Sequence, residues 1–176
     1  SNVAEEFPVP GRTAAGMYST AEEVAQWTIA LQQGELLKDK ASLERLWSPV
    51  PLTNGELGGF SRLLNGYGLG WPAMSRAEHP AVGGIGGGRS AFFIYPQDNL
   101  TIVILTNRPG CAPESFIDEV AGFYVPSMKP TTGFGLPTEV RALRNELVKK
   151  GYAQAVKVVK DLKRKDPNYT ISENDL

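Results

Sequence analysis

The sequence predicts an α+β fold: an antiparallel β-sheet of about three to five strands flanked by helices, with a C-terminal helical hairpin. Three observations predict it. Arg89–Tyr95 and Leu100–Asn107 are two β-rich runs joined by Pro96-Gln97-Asp98-Asn99, a strand–turn–strand pattern. Segments with helical spacing of apolar residues lie before and after these runs and do not alternate with them. A Pro/Gly/Thr-rich stretch at 126–137 then separates this region from a tail of different character.

The elements follow in order. Residues 1–18 read as irregular, with Pro8, Pro10, Gly11 and Gly16. Thr20-Ala21-Glu22-Glu23 is a capping box opening a helix, and Val24, Trp27, Thr28 and Leu31 form its apolar face. Gly34 stops it. A short helix is predicted from Asp39 to Trp47, ended by Ser48-Pro49. Residues 50–66 read as a loop. Tyr67-Gly68-Leu69-Gly70-Trp71 reads as a short strand and Ala81–Gly86 as the next. Leu100–Asn107 is apolar at nearly every position, which predicts a central strand covered on both faces. A helix over about Pro113–Tyr124 follows, with Phe116, Ile117, Val120 and Phe123 on one side.

These boundaries predict a main domain at 1–126, a linker at 127–137 and a helical hairpin at 138–176. In the hairpin, Val140, Leu143 and Leu147 make one helical face, Gly151 interrupts it, and a second helix runs to about Lys165. The charge balance changes with it: residues 138–176 hold nine Lys/Arg against six Asp/Glu, and the remainder nine against thirteen. The Lys/Arg-rich stretch Lys157–Lys165 reads as a solvated helix face. Ser172-Glu173-Asn174-Asp175 reads as the start of another helix.

Composition excludes several functions. A net charge of −1 gives no basis for nucleic-acid binding. No apolar run approaches the roughly 18 residues a membrane helix needs. One His, one Cys and no clustered carboxylates leave no material for a metal site, so no metal or cofactor is expected. Cys111 lacks an internal disulfide partner and reads as structural. Gly84-Ile85-Gly86 is followed by Arg89 where a nucleotide-binding loop needs glycine, and the next element is a strand, so that motif is rejected. The chain does not start with Met and shows no signal peptide, as a mature or excised fragment would.

The most informative segment is Gly83-Gly84-Ile85-Gly86-Gly87-Gly88-Arg89-Ser90. Glycine lets a backbone approach a ligand and leaves N–H groups to point at it. Gly16-Met17-Tyr18-Ser19-Thr20-Ala21-Glu22-Glu23-Val24, Tyr67-Gly68-Leu69-Gly70-Trp71 and Leu105-Thr106-Asn107 accompany it. Their order and spacing, over about residues 12–126, resemble the rear part of class C-like serine β-lactamases, penicillin-binding proteins, esterases and peptidases. The tail spacing Tyr152, Ala155, Val159, Leu162, Pro167 resembles the second helix of a tetratricopeptide repeat, with Leu162 replacing the usual small residue.

The resemblance implies a partial β-lactamase/transpeptidase-like fold and acyl transfer. In that family a Ser attacks a carbonyl, aided by a Lys three residues later and by the Tyr of a Tyr-x-Asn/Ser motif. A Lys/His-Thr/Ser-Gly triplet lies on the strand beside them. No serine of this chain has Lys at +3, and no tyrosine has Asn or Ser at +2. Both motifs would precede Ser1, so the chain is expected to be inactive alone, as the C-terminal piece of a hydrolase; a binding module that never had the nucleophile is the alternative.

The triplet position reads Gly84-Ile85-Gly86, without the family's cation or imidazole. This makes penicillin turnover a poorer expectation than ester or peptide hydrolysis. By resemblance the backbone N–H of Gly87 donates to the oxyanion. Gly84, Ile85, Gly86, Arg89 and Asn107 are the expected substrate-binding residues, Arg89 and Asn107 as candidate contacts to a substrate carboxylate. On an extended strand residues 84 and 89 point to opposite faces, so Arg89 needs a bulge to take that role; otherwise it is a surface ion-pair residue. His79, lacking a Ser or Asp in register, reads as a surface residue. The expected partner of the intact protein is a small-molecule acyl substrate. An exposed sheet edge is expected to drive self-association of the fragment. Relatives are usually exported, which implies a periplasmic or extracellular location by analogy alone.

Overall fold

The computed structural model describes residues 17–87, 89–132, 134–136 and 138–169. The irregular stretch expected at 1–16 and the helix start expected at Ser172 lie outside them. The chain divides into two compact units, one ending at Ala121 and the other beginning at Gly122.

The first unit opens with helix α1 (Ala21–Gln32). Its capping box forms as the sequence predicts: the Glu23 N–H donates to the Thr20 hydroxyl at 3.1 Å, and the Thr20 N–H donates to the Glu23 carboxylate at 2.9 Å. These bonds satisfy donors that a helix start otherwise leaves open. Helix α2 (Lys40–Trp47) starts behind Asp39, whose carboxylate accepts from the Ser42 N–H at 2.7 Å. Then come β1 (Gly66–Tyr67), β2 (Pro72–Met74), β3 (Ala81–Gly86), β4 (Ser90–Tyr95) and β5 (Leu100–Leu105). They form one antiparallel meander in the order β1-β2-β3-β4-β5. A short 3₁₀ turn (Pro113–Ser115) and helix α3 (Ile117–Ala121) close the unit. The single helix expected over 113–124 is thus two short pieces.

Two expectations are corrected. Tyr67–Trp71 is not a strand: Gly66 pairs with Ala73 and Tyr67 with Pro72, so Gly68–Trp71 is the turn between β1 and β2. The Gly68 N–H donates to the Trp71 carbonyl at 2.8 Å to close it. And β5 is not central. Among the described residues it pairs only with β4 and forms a sheet edge, although both of its faces are covered. Apolarity reports burial of the faces and says nothing of the edge.

Residues directly opposite on antiparallel strands share a face. One face carries Ala73, Val82 and Ile94, and α1 and α2 cover it with Leu31 and Leu43. The Gln32 amide donates to the Thr101 hydroxyl at 3.0 Å and ties α1 to β5. The other face carries the buried Phe93, Tyr95 and Ile102, with Ile117 and Ala121 of α3 also fully buried. The Tyr95 hydroxyl donates to the Asp118 carboxylate at 2.9 Å, which sets α3 on this face.

In the second unit, 126–132 forms two 3₁₀ turns, Pro126–Met128 and Pro130–Thr132, with Met128 buried. Helices α4 (Thr138–Lys150) and α5 (Tyr152–Lys165) form the hairpin the sequence predicts, joined by Gly151. Val140 and Ala155 are buried, whereas Val148 and Tyr152 are exposed. Lys150–Glu146 and Arg164–Asp161 are exposed ion pairs at helical spacing, each worth about 0.3–0.5 kcal/mol.

Candidate active site

The glycine-rich segment lies where β3 leaves the sheet interior. Ala81 and Val82 are buried, Gly84 is half-buried, and Ile85, Gly86 and Gly87 are exposed. Gly86 pairs with Ser90 at the start of β4, and the Arg89 N–H donates to the Gly86 carbonyl at 3.0 Å, which closes the reversal between the two strands. Gly87 has φ +57°, a conformation that costs an L-residue about 1–2 kcal/mol. The turn therefore presents a backbone free of side chains at Gly86 and Gly87.

β5 ends beside this turn. The Thr106 N–H and hydroxyl both donate to the Arg89 carbonyl, at 2.9 and 2.8 Å. The structure thus brings Gly84, Ile85, Gly86, Gly87, Arg89 and the exposed Asn107 to one end of the sheet. Arg89 sits on the reversing turn and not on a continued strand, so its position relative to Gly84 is set by the hairpin. Ile85 faces the side shared with Ala91 and Ile104. The Ser90 hydroxyl is engaged with the Gly86 carbonyl at 3.1 Å.

Gly84 lies opposite Phe92. A Cβ at residue 84 would fall 2.7 Å from the Phe92 Cζ, inside the ring's contact distance. Phe92 in turn meets Trp27 edge-on at 5.6 Å and Trp71 edge-on at 5.8 Å, while Trp27 stacks on Trp71 at 5.7 Å. Such edge and offset arrangements are favoured by the ring quadrupoles, each by about 0.5–1.5 kcal/mol beyond burial. The space of a residue-84 side chain is therefore filled by an aromatic cluster.

The opposite end of the sheet holds the polar groups that sequence reasoning missed. His79 is not a solvated surface residue. Its Nδ1 lies 2.8 Å from the Asp98 carboxylate, and both side chains are largely buried. Arg76 forms a two-pronged pair with Asp118 at 2.7 and 2.9 Å and donates from Nε to the His79 carbonyl. Burial, and then the negative Asp118 beside it, push the Tyr95 phenol well above its ordinary pKa. Asp98 sits in the turn after β4 and His79 just before β3, so the length of β3 separates this network from Gly87. No spacing in the sequence signals either pairing.

A cavity of about 540 Å³ lies against β1, lined by Val50, Leu52, Phe60 and Tyr67 among others. It holds no carboxylate, imidazole or amine. Among the described residues, no group of three His, Cys, Asp or Glu is placed to hold a metal ion. Among them, too, no helix is long and apolar enough to cross a membrane.

The family model described as Beta-lactamase matches residues 2–123, which contain the whole sheet and the glycine turn. The chain belongs to the β-lactamase family. No curated protein and no solved structure matches it. The antiparallel sheet with helices on both faces is consistent with part of a β-lactamase-family fold. Membership of this family makes the chain part of a serine-hydrolase-like superfamily. The match covers the first unit and ends two residues into the second, leaving the helical hairpin outside it.

Proposed function

We propose that this chain is the oxyanion-side portion of a class C-like serine hydrolase that transfers or hydrolyses an ester, amide or peptide-like acyl group. One observation carries the reading: an exposed glycine turn at the end of β3, in a β-lactamase-family domain, with Gly87 at the position that resembles the family's oxyanion donor. Backbone donors of this kind are worth about 2.7–4 kcal/mol in the barrier. A glycine at 87 keeps the N–H while removing side-chain bulk. Gly84, Ile85 and Gly86 form the wall along which the acyl group lies. Arg89 and Asn107 stand at its outer end.

The nucleophile and base are then supplied by residues outside this chain, since no Ser-x-x-Lys or Tyr-x-Asn/Ser occurs within it. The chain alone is inactive. Its hairpin is one tetratricopeptide-like unit, and the open edge of β5 associates with another strand.

A second reading has its own support. The side chain expected at residue 84 is absent and its space is filled by Phe92, as in a binding module that no longer performs chemistry. A fluorophosphonate probe applied to the intact protein separates the two. Labelling at a serine preceding this chain establishes the hydrolase. Absence of labelling in folded protein establishes the module.

A further inference from the structure

Around Gly84 the structure offers rings and no charge-bearing side chain of the β3 strand. Phe92 stands across from it, Trp71 packs edge-on to Phe92, and Trp27 caps both from α1. Trp27 remains 43% exposed while Gly84 and Phe92 are half-buried, so the outer edge of this cluster reaches solvent although Trp71 beneath it is buried. Residue 84 itself cannot contribute a cation while Phe92 keeps its place, because the ring occupies the Cβ position. Arg89 lies beyond Gly87 in the turn, past the glycine wall.

We propose that the surface at Gly84 receives an uncharged apolar acyl tail, with Phe92 and Trp27 as its specificity-determining side chains. The site then takes neutral esters or amides and rejects those whose acyl tail ends in a carboxylate. The inference rests on the acyl-transfer reading above. An alkyl or aryl group laid on these rings leaves water for an apolar surface. A carboxylate in the same place loses water without gaining a cation from β3 and meets ring faces that carry partial negative charge. Trp27 and Phe92 belong to different elements, α1 and β4, so the surface depends on their packing and not on one local motif.

Two matched ligands test it: butyranilide, whose acyl tail ends in a methyl group, and succinanilic acid, whose tail ends in a carboxylate. Binding to this chain is read from the NMR signals of the tryptophan indole N–H groups. Butyranilide is expected to shift the Trp27 and Trp71 signals and to bind at least about tenfold more tightly than succinanilate, the scale set by one mismatched group in an apolar pocket. Trp27→Ala, at a partly exposed position, and Phe92→Leu, which keeps the core apolar, are each expected to weaken butyranilide binding severalfold in protein that retains its dispersed spectrum. Equal or tighter binding of succinanilate, no indole shift with either ligand, or unchanged binding by both variants overturns the inference. Fluorophosphonate labelling of the intact protein is read alongside. Labelled protein without the neutral preference overturns the specificity inference alone. Unlabelled protein whose chain still prefers butyranilide overturns the hydrolase reading alone.

Discussion

The Phe92 ring occupies the space into which any side chain at Gly84 would project, across the β3–β4 ladder. The glycine and the ring are one packing unit: a small residue on one strand admits the large one on the next. Phe92 holds its place through Trp27 and Trp71, so a change at residue 84 propagates to α1.

Installing an imidazole at this position tests that coupling. Gly84→His overpacks the cluster and is expected to lower stability by about 1–3 kcal/mol. In the double variant Gly84→His/Phe92→Ala the two losses should fail to add, with a coupling of about 0.5–3 kcal/mol. Urea unfolding of the four proteins measures the cycle. Additive losses would show that the ring and the residue-84 side chain do not compete.

The Arg76–Asp118–Tyr95 network is expected to hold α3 to the sheet. Asp118→Ala strips the Tyr95 hydroxyl of its acceptor in a buried site, at a cost of about 1–3 kcal/mol. The Tyr95 pKa is raised, so the folded state holds that proton more tightly than the unfolded chain does. Its contribution is complete below the unfolded tyrosine value, near 10, and is lost as pH rises above it. Thermal melts between neutral pH and strongly alkaline pH should fall steeply in the wild type and less steeply in Tyr95→Phe.

At the start of α1 the pH dependence runs the other way. The Thr20 backbone N–H, with the Ser19 and Thr20 hydroxyls, holds the Glu23 carboxyl below its ordinary pKa. The Ser42 N–H does the same for Asp39 at the start of α2. These contributions are present above the unfolded carboxylate values and are lost as pH falls through the lowered folded ones. Thr20→Ala is expected to cost about 1 kcal/mol at neutral pH. Glu23→Gln should flatten the acid limb of the melting curve; an unchanged limb would remove Glu23 from the account.

Among the described residues no strand pairs with the outer edge of β5, at whose end Leu105 is 41% exposed. Concentration-dependent association is expected in size-exclusion chromatography, together with binding of a dye that reports exposed apolar surface. A charge at the edge opposes strand pairing, so Leu105→Lys should shift the protein toward monomer without altering its melting temperature by more than a few degrees. A wild-type protein that elutes as a monomer at every concentration would refute the association.

The local signals were legible because they are local. The Thr20/Glu23 capping box, the short helix ending at Ser48-Pro49 and the β4–β5 hairpin each depend on residues within a few positions of one another. Gly151 likewise marked the corner between α4 and α5. The division of Tyr67–Trp71 between β1 and a turn was not legible, because the segment's aromatic–glycine alternation suits either state until Gly66 pairs with Ala73. His79 and Asp98 are nineteen residues apart, and Arg76 and Asp118 forty-two, so no periodicity joins them.

By itself the sequence determined the start of α1, the β4–β5 hairpin, the glycine turn and the absence of Ser-x-x-Lys, since each depends on backbone preference or residue identity at short range. Tertiary structure alone decided that β5 pairs only with β4 among the described residues, that His79 has a buried carboxylate partner, and that Phe92 takes the place of a side chain at Gly84. Each of those outcomes depends on which distant strands pair and which faces the helices cover, and burial free energy settles that only when the whole unit packs.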